Sequence, residues 1–205
     1  MRLVVVETGT ANVGSVVNMF RRLGGDPIAS GDPGTIKRAD KILLPGVGAF
    51  DAGMASLHES GLVEVLRIRV GEGVPLLGIC LGMQLLFDSS EEGSDKGLGL
   101  IPGVVRRLSP DSSDGPIRIP HMGWSRIEKR RPHNLTEGIG EEARFYFAHS
   151  YAVVPKDDSD IIGVSTYGSQ FVSAVARENV LGVQFHPEKS HRYGKALLSN
   201  FLQGF

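Results

Sequence analysis

The chain has 205 residues, 41% hydrophobic and 22% charged, with a formal net charge of −1, which predicts a single domain over residues 1–205 with a full core. A near-neutral balance without any run of Lys or Arg argues against nucleic acid and against an anionic membrane surface as partners. No stretch of ~18 apolar residues is present to span a bilayer, the opening MRLVVVETGT turns polar too early for a secretory leader, and the one cysteine, Cys80, can make no internal disulfide, so a cytoplasmic protein is expected.

In chain order, RLVVVE (2–7) predicts a strand, and after a glycine-bearing turn NVGSVVNMFRRLG carries Val16, Val17, Phe20 and Leu23 at helical spacing. KILLPG (41–46) predicts a second buried strand, the segment 49–73 two helical pieces broken near Gly61, and PLLGI (75–79) a third strand. A helix over LGMQLLFDSS (81–90) follows Cys80 with no room for a loop. Continuous apolar strands alternating with helices predict an α/β fold with a mostly parallel central sheet flanked by helices. The second half is less regular. GVVRRL and WSRIEK read as strands on either side of a surface loop, SPDSSDGP. ARFYFAHSYAVV, IIGVSTYG and FVSAVARENVLGVQFHPE follow at short spacing, with Glu178 and Asn179 as a hairpin turn, and predict a β-rich, partly antiparallel extension. The segment 191–205 closes as an amphipathic helix burying Tyr193, Leu197, Leu198 and Phe201. There is no internal repeat or linker.

Cys80 stands between a predicted strand and a predicted helix, with glycines two positions to either side. Such a residue takes a tight backbone turn that small neighbours make possible, the geometry of a nucleophile elbow. It lies exposed at the carboxyl end of its strand and faces a helix amino terminus, which favours the thiolate. The alternative is a small buried hydrophobe. A nucleophilic thiol needs a base. His58, His133 and His191 fall at outer, loop or helix-start positions and are expected to be solvated; His121, His149 and His186 remain. The proline after His186 keeps that residue extended, so Glu188, two positions on, points to the same side and can fix the imidazole tautomer. Alternatively the pair is a loop histidine beside a solvated glutamate. Oxyanion donors are expected from the Leu81 N–H and from the PGVGAF turn at Val47 and Gly48, unless that turn only joins a strand to a helix. No P-loop lysine, GxGxxG, HExxH or paired cysteine occurs, so no nucleotide, metal or other cofactor is expected.

LLPGVGAFDAGM, PLLGICLGMQLLF, HMGWS and GVQFHPEKS together resemble the class I glutamine amidotransferases over nearly the whole chain, and within them the glutaminase subunits of imidazole glycerol phosphate synthase. The opening differs from that family's DYG: here stand Glu7, Thr8 and Gly9, with Asn12 kept. The resemblance implies a flavodoxin-like amidotransferase fold. It implies attack of Cys80 on the carboxamide of L-glutamine, with His186 and Glu188 completing the triad. Gln84 and the backbone of His149, Ser150 and Tyr151 would hold the amino acid end of the substrate, although Gln84 reads equally as an exposed helix residue. It further implies a (β/α)8 cyclase as partner in a heterodimer that receives the ammonia, with Thr10, Asn12, Trp124, Tyr146 and Lys189 at the interface; for the two aromatics, core packing is the other reading. The PGVG turn could change its backbone orientation when the cyclase and its ligand bind. The other functions compatible with these residues are service to a different synthase, hydrolysis of γ-glutamyl peptides by the same triad, and a silent regulatory subunit.

Overall fold

The computed structural model describes residues 1–7, 9, 13–109 and 117–205. The first half runs β1 (Leu3–Val6), α1 (Val13–Arg22), β2 (Ile28–Ser30), α2 (Pro33–Ile36), β3 (Lys41–Gly46), α3 (Phe50–Glu59), α4 (Leu62–Gly71), β4 (Leu76–Cys80) and α5 (Leu81–Leu85). The second half contains β5 (Ser89–Ser90), β6 (Gly103–Arg107), β7 (His121–Arg126), β8 (Glu128–Lys129), β9 (Arg144–His149), β10 (Tyr151–Pro155), β11 (Ile161–Tyr167), β12 (Ser169–Arg177), β13 (Val180–Val183) and α6 (His191–Gly204). Among the described residues no helix is long and apolar enough to cross a membrane.

The sheet begins β2-β1-β3-β4-β13, all parallel, and continues antiparallel through β12, β10 and β6. The parallel block has the strand order of doubly wound flavodoxin-like folds, in which ligands bind outside the carboxyl ends of the strands. β11 adds to β12 and carries β8, while β7 and β9 form a separate two-stranded ribbon.

The period of two along a strand divides the core between the two faces of the sheet. Leu3 and Val5 of β1 join Phe20, Leu77, Phe145, Phe147, Phe185 and Phe201 on one face. Val4 and Val6 join Ile42, Leu44, Phe50, Leu57, Leu66 and Leu85 on the other. Each such side chain stabilises the fold by roughly 1.5–3 kcal/mol relative to exposure. In α1, Val13, Val16, Val17 and Phe20 are the buried residues, at the spacing of one helix face. α3 and α4 are broken at Gly61, whose φ of 67° is left-handed. At the other end of the sheet the buried Lys41 ammonium donates to the carbonyls of Phe201 (3.0 Å) and Leu202 (2.7 Å), capping the last turn of α6. Burial lowers the pKa of Lys41 from its ordinary value.

Several details depart from the sequence reading. β2 and α2 were not expected; they span three and four residues, too few to show a period. β7 starts at His121 rather than Trp124 and ends before a separate β8. α5 stops after five residues because the next carbonyls are taken from outside: Leu98 N–H donates to Leu85 O (2.8 Å) and Leu100 N–H to Leu86 O (2.8 Å). Tyr193 is partly buried against the core of α6, whereas Gly194 and Leu202 are buried there with Leu197, Leu198 and Phe201. The loop expected at 109–116 lies, apart from Ser109, outside the described residues.

Candidate active site

The centre of the parallel block converges on one backbone turn. β4 passes into α5 through Cys80, which adopts φ 55° and ψ −112°, a conformation that costs a non-glycine residue on the order of 1–3 kcal/mol. Two glycines make it possible. A Cβ on Gly78 would lie 2.6 Å from the Gly82 carbonyl oxygen, and a Cβ on Gly82 only 1.8 Å from the Leu44 carbonyl oxygen. The elbow therefore packs backbone against backbone. Cys80 is not the exposed thiol of the sequence reading: the residue is 6% accessible and borders a cavity of about 330 Å³. Nor is the helix behind it long. Five residues supply little macrodipole, so support for a negative sulfur must come from side chains.

His186 supplies one such group. It leaves β13 extended, with φ −101° and ψ 95°, and its N–H donates to Tyr146 O at 2.8 Å. Residues Pro187–Lys189 then form a 3-10 turn rather than continuing extended, yet the expected contact is made: His186 Nδ1 and Glu188 Oε1 are 2.8 Å apart, with both side chains almost wholly buried. Burial by itself lowers the pKa of His186, but hydrogen bonds to Cys80 and Glu188 and their negative charges outweigh it and raise the value to about 9. The ring is therefore an imidazolium at neutral pH, held between sulfur and carboxylate. Ser190 fixes this turn, donating from Oγ to His186 O (2.6 Å) and accepting from Tyr146 N–H (3.0 Å).

Register brings the remaining candidates to the same cavity. Gly46 pairs with Cys80, which sets the Val47–Gly48 turn beside the sulfur, and both residues line the cavity with Leu81 and Gln84. Val47 is 39% exposed and Gly48 has φ 104°. His149, Ser150 and Tyr151 form the opposite wall. Gln84 is buried rather than a surface residue; its Nε2 donates to Tyr151 O (3.1 Å) and to Gln184 Oε1 (3.1 Å). Tyr151 O also accepts from His149 Nδ1 (2.8 Å), so His149 Nε2 bears no proton and accepts from His121 Nδ1 (3.1 Å). His121 Nε2 in turn accepts from Ser125 Oγ (3.0 Å). Burial pushes both rings down to about 4, with opposing help for His149 from its bond to Tyr151 O. They are neutral, and each tautomer is fixed by its neighbour. The sequence reading did not single out Gln184, Ser125, Glu92, Pro120 or Met122. Glu92 lines the cavity and accepts from the Phe50 N–H (2.9 Å); it and Pro120 lie outside the sequence motifs, whereas Gln184 stands within GVQFHPEKS and Met122 and Ser125 within HMGWS, where the signal for them was present.

Met122, at the cavity rim, is 63% exposed, and Trp124, outside the cavity, is 44% exposed. The Trp124 ring lies flat on His191 (5.2 Å) and edge-on to Tyr146 (5.8 Å), over which Lys189 Nζ sits at 5.6 Å. Trp124 is thus a surface residue and Tyr146 half-buried beside it. Thr10 and Asn12 lie outside the described residues. His58 is exposed as expected. His133 is not simply solvated: it is half-buried, accepts from Leu135 N–H (3.2 Å) and stacks on Phe205, and burial lowers its pKa. Larger cavities occur near Lys129–Glu137 and near Ser165, without a nucleophile beside a charged base. Among the described residues no group of three or more His, Cys, Asp or Glu is placed to hold a metal ion. A thiol, an imidazolium and a buried carboxylate in line, next to loop amides, form a set able to attack a carbonyl carbon and move one proton to and from a leaving group.

A family model described as glutamine amidotransferase class-I matches residues 10–204. The chain is 47% identical over 203 residues to imidazole glycerol phosphate synthase subunit HisH 2 of Pseudomonas aeruginosa, with 98% of each chain covered. It is 45% identical over 202 residues to the subunit of the same name from Methanococcus maripaludis, again with 98% of each covered. Among solved structures, PurLQS from Thermotoga maritima shares the fold with a TM-score of 0.74 at 20% identity, covering 99% of this chain and 98% of that one.

Proposed function

The chain belongs to the class I glutamine amidotransferases, and on that premise we propose that it is the glutaminase subunit of an imidazole glycerol phosphate synthase, working in the cytoplasm in a heterodimer with a (β/α)8 cyclase. What carries the assignment is identity of 45–47% along the whole chain to subunits of that synthase, joined to a cavity bordered by Cys80 and His186, with Glu188 bonded to His186 Nδ1 behind it.

Glutamine enters with its carboxamide carbon against Cys80 Sγ. The sulfur attacks as thiolate, a C–S bond forms, and the carbonyl electrons move to the oxygen, which the amides of Leu81 and the Val47–Gly48 turn hold as an oxyanion. His186 gives its Nε2 proton to the departing nitrogen, and ammonia leaves as the carbonyl re-forms in a thioester. His186, now neutral, takes a proton from water. The resulting hydroxide attacks the thioester carbon, glutamate leaves, and the thiolate and imidazolium are restored. Glu188 holds Nδ1–H throughout and so keeps Nε2 turned to the chemistry. Gln84 and the His149–Tyr151 strand exit bind the amino acid end of the substrate.

Ammonia set free in neutral water is protonated and lost as a nucleophile, so a synthase that uses it gains from a closed transfer to its partner. The exposed patch of Trp124 and Lys189 with Tyr146, beside the cavity mouth, is the surface on which we place the cyclase. The test is glutamate release from glutamine by the purified chain, alone and with the cyclase plus its phosphorylated substrate. Stimulation by the pair supports both halves of the assignment. Equal rates in both conditions would leave a glutaminase but remove this synthase.

A further inference from the structure

Gln184 has no part in the steps just described, yet it occupies the strand exit next to the nucleophile. Val183 of β13 pairs with Ile79 of β4, so the next residue on each strand, Gln184 and Cys80, lie side by side. Gln184 is fully buried. Its Nε2 stands 3.8 Å from Cys80 Sγ, and its Oε1 accepts from Gln84 Nε2 at 3.1 Å, within the range for N–H donation to sulfur and oxygen respectively. An amide can be turned either way, but here the choice is forced. Tyr151 O is a backbone carbonyl and can only accept, so Gln84 must present its NH₂ to it. The other hydrogen of that NH₂ meets Gln184, which must therefore present Oε1, leaving its own NH₂ toward the sulfur. The histidine chain behind Tyr151 O holds that carbonyl in place.

We propose that Gln184 is a positioning residue for the nucleophile: its side-chain amide donates to Cys80 Sγ, aims the sulfur and stabilises it as the thiolate. The need for such a donor follows from the five-residue α5, which offers little dipole, and from the Ala148 carbonyl oxygen 4.0 Å from the sulfur, an acceptor that opposes negative charge there. The donor acts at both ends of the cycle. It favours the attacking thiolate before acylation and the same thiolate as leaving group when water opens the thioester.

This inference rests on the reading of Cys80 as nucleophile, and its test separates the two. Cys80 is the only thiol in the chain, so its alkylation by iodoacetamide can be followed against pH without a background. Gln184→Met keeps the length and removes the donor. The expected result is an upward shift of the alkylation midpoint by about one pH unit, the size of a hydrogen bond to a charged group, together with a roughly tenfold loss of kcat and a KM for glutamine within about twofold of the unaltered chain. A folded Gln184→Met chain whose midpoint and kcat match the unaltered protein overturns the proposal. Should that variant fail to fold, the unaltered protein still decides. The Gln184 side-chain amide protons must titrate in NMR spectra with the same midpoint as alkylation, and a flat response overturns the proposal. A chain that shows the shift but never hydrolyses glutamine, with or without a cyclase, retains the Gln184 role and loses the glutaminase reading.

Discussion

Acid should unfold this protein through its buried neutral histidines. His121 and His149 have folded pKa values near 4 against an ordinary 6.5, and a base with a depressed pKa contributes stability that is present above 6.5 and is lost as pH falls toward 4. Between pH 7 and about pH 5 each ring then loses about 2 kcal/mol. Both folded rings stay neutral over this interval while the unfolded chain takes up both protons, so the two losses add to about 4 kcal/mol. His186 opposes this. With a folded value of about 9 its stabilisation is fully present below 6.5 and is lost as pH rises through 9, and over the same acid interval it adds less than about 1 kcal/mol. At about 2–4 °C per kcal/mol for a chain of this size, thermal unfolding measured from pH 7 to 5 should show a clear fall in Tm. His121→Phe retains a ring between Phe147 and Tyr167, on which His121 stacks, and removes one titrating group. It is expected to recover about 4–8 °C of the acid-dependent fall. Parallel Tm curves for the two proteins would refute the reasoning, because the acid loss would then come from groups outside this pair.

Glu188→Gln keeps the shape of the turn but replaces the anion beside His186 Nδ1, and glutaminase kcat is expected to drop by about 10²–10⁴, with a lower Tm at pH 7 because the imidazolium loses its buried counter-charge; a drop in kcat below tenfold would show that the ring is held in place without the Glu188 anion. Gly82→Ala would set a Cβ 1.8 Å from the Leu44 carbonyl, backbone that cannot rotate away, so a destabilisation above about 3 kcal/mol in urea unfolding is expected. A stable, active Gly82→Ala protein would mean the elbow is far looser than described. Lys41→Met removes the ammonium from the Phe201 and Leu202 carbonyls and should cost about 1–3 kcal/mol by the same measurement, with glutaminase kcat unaltered because α6 ends far along the sheet from Cys80.

Much of this molecule could be read from its sequence where one residue does one job. KILLPG became β3 with the predicted ends because both faces of that strand are buried, and Gly61 broke the helices where no other residue takes φ 67° at so little strain. The pairing of His186 with Glu188 was legible, although for a partly mistaken reason: the proline kept His186 extended, but Glu188 arrives through a 3-10 turn. What could not be read depends on strands far apart in the chain. Gln184 meets Cys80 because β13 lies beside β4, and the tautomers of His121 and His149 follow from the β7–β9 register that sets those residues opposite each other. The length of α5 was misjudged for a related reason. Its apolar period continues, but the carbonyls that would extend it are claimed by residues 98–101.

The placement of β13 between β4 and β12 also governs how the chain is made. β4 emerges from the ribosome with β3 as its only parallel neighbour, and its other edge, apolar along its whole length, has no partner until residues 180–183 are synthesised. During that interval it is an unpaired edge able to recruit strands from other chains. The same late strand delivers Gln184, His186 and Glu188, so the site is assembled in the step that closes the sheet, and a nascent chain carries its thiol long before it carries a base to activate it. Recovery of activity on refolding therefore reports completion of the long-range β4–β13 pairing rather than formation of the elbow itself.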